Sequence, residues 1–307
     1  MKLVDALDSK SSGSDTVPVR FRPRAPLEKY EIIQNISFFI FRTCYSNSMK
    51  VYELSFQKNI RDIGGMVTTD GHHIKYGRLI RGSVLVKLDE NDEQIVKGFN
   101  LTDIVDFRSP DEFEYYPDFH LDGVRMHNLP VLSKKTNEEA RQRMKSSDGN
   151  LLWFLEDQTS GFEHLVKVYS EFITTQDGID AYKEFFNIIL NDNRVTYFHC
   201  SQGKDRTGFA AYLVEIALGV SEEDAMNDYL YSNIAMEKRA EMMLRRVEYL
   251  PFYNEEYKQS LIDVFSTRVE YMNSAINAMK EHYGGTLNYI KDALGVDIDK
   301  LKSLYLE

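Results

Sequence analysis

Between Arg194 and Gly219 the chain runs from β-branched and aromatic residues, Arg194-Val-Thr-Tyr-Phe-His199, through seven loop residues, Cys200-Ser-Gln-Gly-Lys-Asp-Arg206, into the apolar stretch Thr207-Gly-Phe-Ala-Ala-Tyr-Leu-Val-Glu-Ile-Ala-Leu218. No other segment constrains the fold as strongly. The order reads as a strand, a tight loop and a buried helix, with Gly203 inside the loop and Gly219 as the helix stop. Strand-like segments dominate the first half of the chain and helical periodicity the second. The expected architecture is one α/β domain with a mostly parallel central sheet flanked by helices, plus extra C-terminal helices.

A tight loop at a helix N-terminus turns successive backbone N–H groups inward and has the helix dipole behind it, which makes an anion cradle. Two residues make this cradle reactive. Cys200 opens the loop, where the same positive field favours a thiolate. Arg206 closes it with a planar fork suited to two phosphate oxygens. Phosphoryl transfer needs in-line attack, neutralised equatorial oxygens and a protonated leaving group. Cys200 is the expected nucleophile, and Arg206 with the amides of Ser201, Gln202, Gly203, Lys204 and Asp205 the expected oxygen holders. Thr207 is placed to bond the sulfur, and His199 to tune it from behind. This chemistry calls for no cofactor and no metal.

Composition limits the alternatives. With 37 Lys+Arg against 48 Asp+Glu the chain carries a formal charge of −11, which argues against a nucleic-acid partner and against whole-surface attraction to anionic lipid. Hydrophobic residues at 43% suffice for a sizeable core. Cys44 and Cys200 are too few for a disulfide framework, so Cys44 reads as a core thiol and Cys200 matters for its reactivity. Met1–Arg20 lacks the apolar core of a signal peptide, and the apolar runs at 36–41 and 209–220 are too short to span a bilayer. A cytoplasmic protein is expected, with secretion by a route without a cleaved signal as the other option. The sequence carries no signal for an oligomeric state.

Residues 1–16 read as a flexible tail and 17–56 as a β-rich N-terminal extension of a domain that continues to residue 307. Strands are expected near 77–88, 103–107 and 124–131, and short helices at 89–97 and 111–116. The polar segment 133–165 reads as a surface insertion. Helices follow at about 163–174, 178–191, 206–218, 221–247, 254–283 and 285–305. The basic residues Arg20, Arg22 and Arg24 read as a solvated face.

The string His199-Cys-x5-Arg-Thr-Gly208 resembles the signature loop of the protein tyrosine phosphatase superfamily. In its fuller form, His-Cys-x-x-Gly-Lys-Asp-Arg-Thr-Gly, it is similar to the atypical bacterial and fungal tyrosine/lipid phosphatases of that group. Asn59-Ile-Arg-Asp-Ile-Gly-Gly65, Gly77–Ser83, Val105-Asp-Phe-Arg-Ser109, Asp228-Tyr-Leu-Tyr-Ser-Asn233 and Tyr283-Gly-Gly resemble further elements of the same enzymes. The resemblance covers roughly 57–131 and 180–305.

The resemblance implies a phosphocysteine enzyme acting on phosphotyrosine and phosphoinositide, with phosphoserine and phosphothreonine as further substrates. It also implies that Asp205, inside the loop, serves as the general acid. Asp118, in Tyr116-Pro-Asp118, resembles the acid loop of other tyrosine phosphatases and ranks second, with Asp106 third. Asp118 and Asp106 are therefore also read as facing substrate. Lys204 is expected to raise positive charge at the rim and so favour substrates with several phosphates. Arg61 and Asp62 are read as a supporting ion pair, and Asp106 with Arg108 as another such support. Residues 236–257, rich in Met and aromatic side chains, lie where related enzymes carry a helical lid. Three alternatives stand beside this reading: a phosphatase confined to phosphoinositides or inositol phosphates, a rhodanese-like sulfurtransferase, and a catalytically dead phosphate-binding module.

Overall fold

The computed structural model describes residues 49–132, 160–247 and 254–307, within a compact unit that begins at Tyr45. The expected tail, most of the 17–56 extension, Cys44, the arginines at 20, 22 and 24, and residues 133–159 of the expected insertion lie outside the described residues.

In chain order the described elements are β1 (Lys50–Tyr52), β2 (Ile60–Asp62), β3 (Leu79–Ser83), α1 (Glu90–Lys97), β4 (Asp103–Asp106), α2 (Pro110–Tyr115), β5 (Arg125–Asn128), α3 (Gly161–Thr174), α4 (Gln176–Ile189), β6 (Thr196–Cys200), α5 (Arg206–Leu218), α6 (Glu222–Val247), α7 (Glu255–Phe265), α8 (Val269–Tyr283), α9 (Thr286–Asn288), a π-helical turn (Tyr289–Ala293) and α10 (Ile298–Tyr305). The strands form one sheet in the order β1-β2-β3-β6-β4-β5. The pairs β3–β6, β6–β4 and β4–β5 are parallel, whereas β1–β2 and β2–β3 are antiparallel. The sheet is thus mixed, with its parallel part around β6.

Side-chain alternation along these strands separates two cores. Ile80, Tyr197 and Ile104 lie in register and pack with Ile60, Leu85, Val96 and Phe99 beside α1. Phe198 and Val105, one residue on, join Cys200 in the larger core built by the later helices. Every residue of β3, β4 and β6 is buried, including the polar Arg81, Asp103, Asp106 and His199. Every residue of α5 from Thr207 to Leu218 is buried as well, and Gly219 ends it in the left-handed conformation at φ 98°.

Capping explains several boundaries. Asp89 caps α1, Ser160 caps α3 and Thr175 caps α4, each accepting an N–H of the first turn. Ser109 and Glu112 form a reciprocal capping box on α2, with Pro110 at its first position.

The structure also redraws some expected boundaries. The 77–88 strand contracts to Leu79–Ser83. Gly161 and Leu165 are buried in α3, so the expected insertion stops before them. A Cβ on Gly161 would stand 2.3 Å from the Ser260 carbonyl oxygen, which shows how closely α3 and α7 approach. The helix expected over 254–283 is two helices. Asn233 of α6 binds both the N–H and the C=O of Thr267, at 2.7 and 2.9 Å, and holds the break open. The helix expected over 285–305 divides into α9, the π turn and α10. The segment 236–257 comprises the end of α6 and the start of α7, with 248–253 outside the described residues.

Candidate active site

The loop from Cys200 to Arg206 is held from outside by its carbonyls. Ser201 C=O accepts from the Val84 N–H at 3.4 Å, and Asn59 Nδ2 donates to Gln202 C=O at 3.2 Å and to Gly203 C=O at 2.9 Å. Arg81 Nη2 also donates to Gly203 C=O, at 3.0 Å. In a planar trans peptide the C=O and the next N–H point opposite ways. Three outward carbonyls therefore turn the N–H groups of Gln202, Gly203 and Lys204 inward, the orientation that an anion cradle requires. Gly203 is required here: its φ is 65°, and a Cβ would stand 2.2 Å from the Gly82 carbonyl oxygen.

The donors that hold the loop form a buried ion cluster. Asp228 accepts from Arg61 Nε at 2.6 Å and from Arg81 Nη1 at 2.5 Å. Arg61 Nη1 binds Asn59 Oδ1 at 2.5 Å, fixing the amide that grips the loop. The expected Arg61–Asp62 pair is not formed. Asp62 instead accepts the N–H groups of Gly64 and Gly77 at 2.8 and 2.6 Å, because strand alternation sends the two neighbouring side chains to opposite faces of the sheet. Burial pushes the Glu215 carboxyl well up, while Arg61 and Arg81 overcome burial and hold Asp228 ionised.

Cys200 ends β6 with 3% exposure. Burial opposes its ionisation, but the Arg206 guanidinium and the hydroxyl and amide of Thr207 outweigh it and bring the thiol below its ordinary value. The Thr207 hydroxyl is buried and has no nitrogen or oxygen partner among the described residues. Arg206 is bound in turn by Glu112, whose Oε2 lies 2.7 Å from Nη1 and Oε1 3.0 Å from Nη2. Glu112 Oε1 also accepts from the Ser201 hydroxyl. Against the cost of burial, Arg206, Ser201 and the Ser109 N–H hold the Glu112 carboxyl far below the usual range. Sequence reasoning missed Glu112. Its Ser-x-x-Glu capping box was a visible signal for where its backbone sits, but not for the loop it reaches.

On the opposite face of β6 from Cys200, His199 is fully buried. Its Nδ1 donates to the Cys200 carbonyl at 3.1 Å, and its Nε2 pairs with Asp118 Oδ1 at 3.2 Å. Although burial disfavours the charge, Asp118 and Asp106 raise the His199 pKa to about 9. Asp118 also accepts from the Leu85 N–H at 3.1 Å and from Arg108 Nη2 at 2.8 Å. Arg108 binds Asp106 through Nε and Nη2, as the expected support. Asp106, Asp118 and His199 lie close enough to ligate a cation, yet Arg108 bonds both carboxylates and supplies the positive charge there. Both aspartates are therefore second-row supports behind the loop. This differs from the sequence expectation that they face substrate, and the reason is that β4 and the chain before Asp118 present them to the His199 face.

Asp205 sits at the loop rim with a 25% exposed side chain. Its Oδ1 accepts from Tyr169 Oη at 2.9 Å and from Lys204 Nζ at 2.7 Å. Lys204 is not at the rim. It is 1% exposed, and its Nζ donates also to the carbonyls of Val264 and Ser266 at 3.1 and 3.2 Å. The C-terminal end of α7 draws the ammonium inward, because the last carbonyls of a helix lack partners of their own.

A model of the "Tyrosine phosphatase family" matches residues 52–307. A protein described as a candidate tyrosine-protein phosphatase of Cupriavidus necator is 29% identical over 263 residues, covering 83% of this chain and 89% of that protein. The triple specificity protein phosphatase PtpB of Mycobacterium tuberculosis is 29% identical over 265 residues, covering 80% of this chain and 94% of its own length. The solved structure of TpbA from P. aeruginosa is similar at a TM-score of 0.31 and 12% identity, covering 85% of this chain and 98% of that one, a likeness too loose to bear on function.

Proposed function

The chain belongs to the tyrosine phosphatase family and is a hydrolase of that type; on that premise we propose that it cleaves phosphomonoesters through a phosphocysteine on Cys200. The observation that carries this reading is the loop itself: a thiol with lowered pKa at its base, three N–H groups turned inward by outward carbonyls, and a fixed guanidinium at its end.

In the first step the Cys200 thiolate attacks phosphorus, an S–P bond forms and the ester P–O bond breaks. Asp205 gives its proton to the departing oxygen. The loop N–H groups and Arg206 hold the equatorial oxygens throughout. In the second step water attacks phosphorus, Asp205 takes the proton from that water, and the S–P bond breaks to return the thiolate. Thr207 supports the departing sulfur. His199 and the aspartates behind it hold the strand end from which Cys200 projects. Asp205 is preferred to Asp118 as the acid because Asp205 lies at the rim, whereas Asp118 is buried against His199 and Arg108.

The proposed substrates are phosphotyrosine and, as further protein substrates, phosphoserine and phosphothreonine, a breadth in line with a relative that is a triple specificity protein phosphatase. The inward seat of Lys204 removes the rim charge that favoured phosphoinositides. Family membership also favours the phosphatase over the sulfurtransferase reading. The test is Cys200→Ser, expected to abolish turnover while retaining phosphate binding; residual hydrolysis in that variant would overturn the mechanism. Asp205→Asn should slow phenyl phosphate far more than p-nitrophenyl phosphate, a pattern not expected of Asp118→Asn.

A further inference from the structure

Tyr169, in the middle of α3, is fully buried among the rings of Phe172, Tyr229 and Tyr271, at centroid distances of 5.0, 6.1 and 5.9 Å. Its hydroxyl lies 2.9 Å from Asp205 Oδ1 and 2.8 Å from the Tyr229 hydroxyl. Since the Tyr169 proton goes to the carboxylate, Tyr229 must donate to the Tyr169 oxygen, and the two phenols form a directed chain ending on Asp205. The family match and the hydrolysis mechanism leave this chain without a role. We propose that Tyr169, backed by Tyr229, is the positioning residue that aims the Asp205 carboxyl at the leaving group, a role that rests on Asp205 being the general acid.

Three observations carry the proposal. First, Tyr169 and Lys204 both bind Oδ1, and Lys204 is itself pinned by the carbonyls of Val264 and Ser266. Two fixed donors on one oxygen hold the carboxyl group in place, so that Oδ2 is the oxygen left to carry the transferred proton. A loop residue with 25% exposure otherwise has free rotamers, and acid catalysis depends on reach before it depends on acidity. Second, burial pushes both phenols well above their ordinary pKa, so each remains a neutral donor. Third, room for the chain is built into the signature loop. A Cβ on Gly208 would stand 2.9 Å from Tyr229 Cδ2, so the glycine after Arg206-Thr207 admits the ring. The Asp228-Tyr229 dipeptide thereby serves the loop twice: Asp228 through the Arg61–Arg81 cluster and Tyr229 through Tyr169.

The chain acts in both steps. When Oδ2 gives its proton to the ester oxygen, the Tyr169 O–H stabilises the carboxylate left behind. When water attacks the phosphocysteine, the same fixed Oδ2 receives its proton.

The experiment compares Tyr169→Phe and Tyr229→Phe in the full chain on a series of aryl phosphates from p-nitrophenyl to phenyl phosphate. Removing the Tyr169 hydroxyl while keeping the ring should lower kcat/KM about tenfold for phenyl phosphate and no more than about twofold for p-nitrophenyl phosphate, which needs little protonation. Tyr229→Phe should shift the series in the same direction by less, and it carries the test if Tyr169→Phe does not fold. Adding Tyr169→Phe to Asp205→Asn should cost nothing further. An equal loss across the series, or a loss that persists undiminished in the Asp205→Asn background, overturns the positioning role. If Asp205→Asn shows the leaving-group pattern and neither phenol variant does, the inference fails and the acid assignment stands. If Asp205→Asn itself lacks the pattern, the acid assignment fails and takes the inference with it.

Discussion

Glu112 grips both terminal nitrogens of Arg206, with contacts of 2.7 and 3.0 Å, across 94 positions of sequence. The grip fixes the guanidinium at the end of the loop that Cys200 opens. It also binds Glu112 to the loop hydroxyl of Ser201 while the same carboxylate caps α2 through the Ser109 N–H at 3.1 Å. One side chain thus ties the start of α2 to both ends of the phosphate cradle.

Glu112→Ala should therefore lower kcat/KM by about tenfold to a hundredfold, since a charge-assisted bidentate contact fixes the fork. The loss of the cap should cost about 1 kcal/mol of stability. Steady-state kinetics together with urea unfolding separate the two effects. Unchanged kinetics with lowered stability would leave Glu112 as a cap alone.

The lowered pKa of Cys200 predicts a larger thiolate fraction at any given pH than a free thiol has. The rate of iodoacetate alkylation plotted against pH should have its midpoint below the value of about 8.5 for a free thiol. Replacing Thr207 by Val removes a stabilising hydroxyl and should move that midpoint upward. A midpoint at the free-thiol value in the unmodified protein would contradict the electrostatics derived for the loop.

His199 gives a stability prediction with a definite sign. Its folded pKa of about 9 stands above an unfolded value of about 6.5. Its contribution, about 3 kcal/mol at most, is fully present below pH ~6.5 and is lost as pH rises through about 9. Cys200 titrates with the opposite sign, so the urea midpoint is best followed in Cys200→Ser, where it should fall between pH 6.5 and 9. Adding His199→Asn should flatten that slope. A slope that survives the substitution would assign the pH dependence to another group.

Gly203→Ala tests the cradle directly. The residue adopts φ 65° with only 2.2 Å between the position of a new Cβ and the Gly82 carbonyl oxygen. The loop must shift, at a cost of about 1–3 kcal/mol for the strained backbone, and phosphate affinity should collapse with it. Calorimetric titration with inorganic phosphate, with circular dichroism as the check on folding, reads the result. Undiminished affinity would show that the inward N–H groups do not hold phosphate.

Local chemistry made much of this protein legible from its sequence. The run Arg194–Gly219 announced a strand, an anion loop and a buried helix, because apolar periodicity and glycine placement act over a few residues. The helices expected at 89–97 and 111–116 form within a residue of those bounds, where Asp89 and the Ser109–Glu112 box act as short-range caps. Contacts between distant segments were decided by the tertiary structure alone. Arg61 stands next to Asp62 in sequence yet pairs with Asp228, because neighbouring strand side chains face opposite sides of a sheet. Lys204 was expected to face solvent, but the end of α7 offers it carbonyls that only folding brings near. Asp118 lies behind the strand instead of over the loop, and Glu112 and Tyr169 joined the site unannounced, since no rule of spacing relates them to residues 36 and 94 positions away. The reactive loop was thus written in consecutive residues, while its supporting shell came from the packing of α2, α3, α6 and α7 around it.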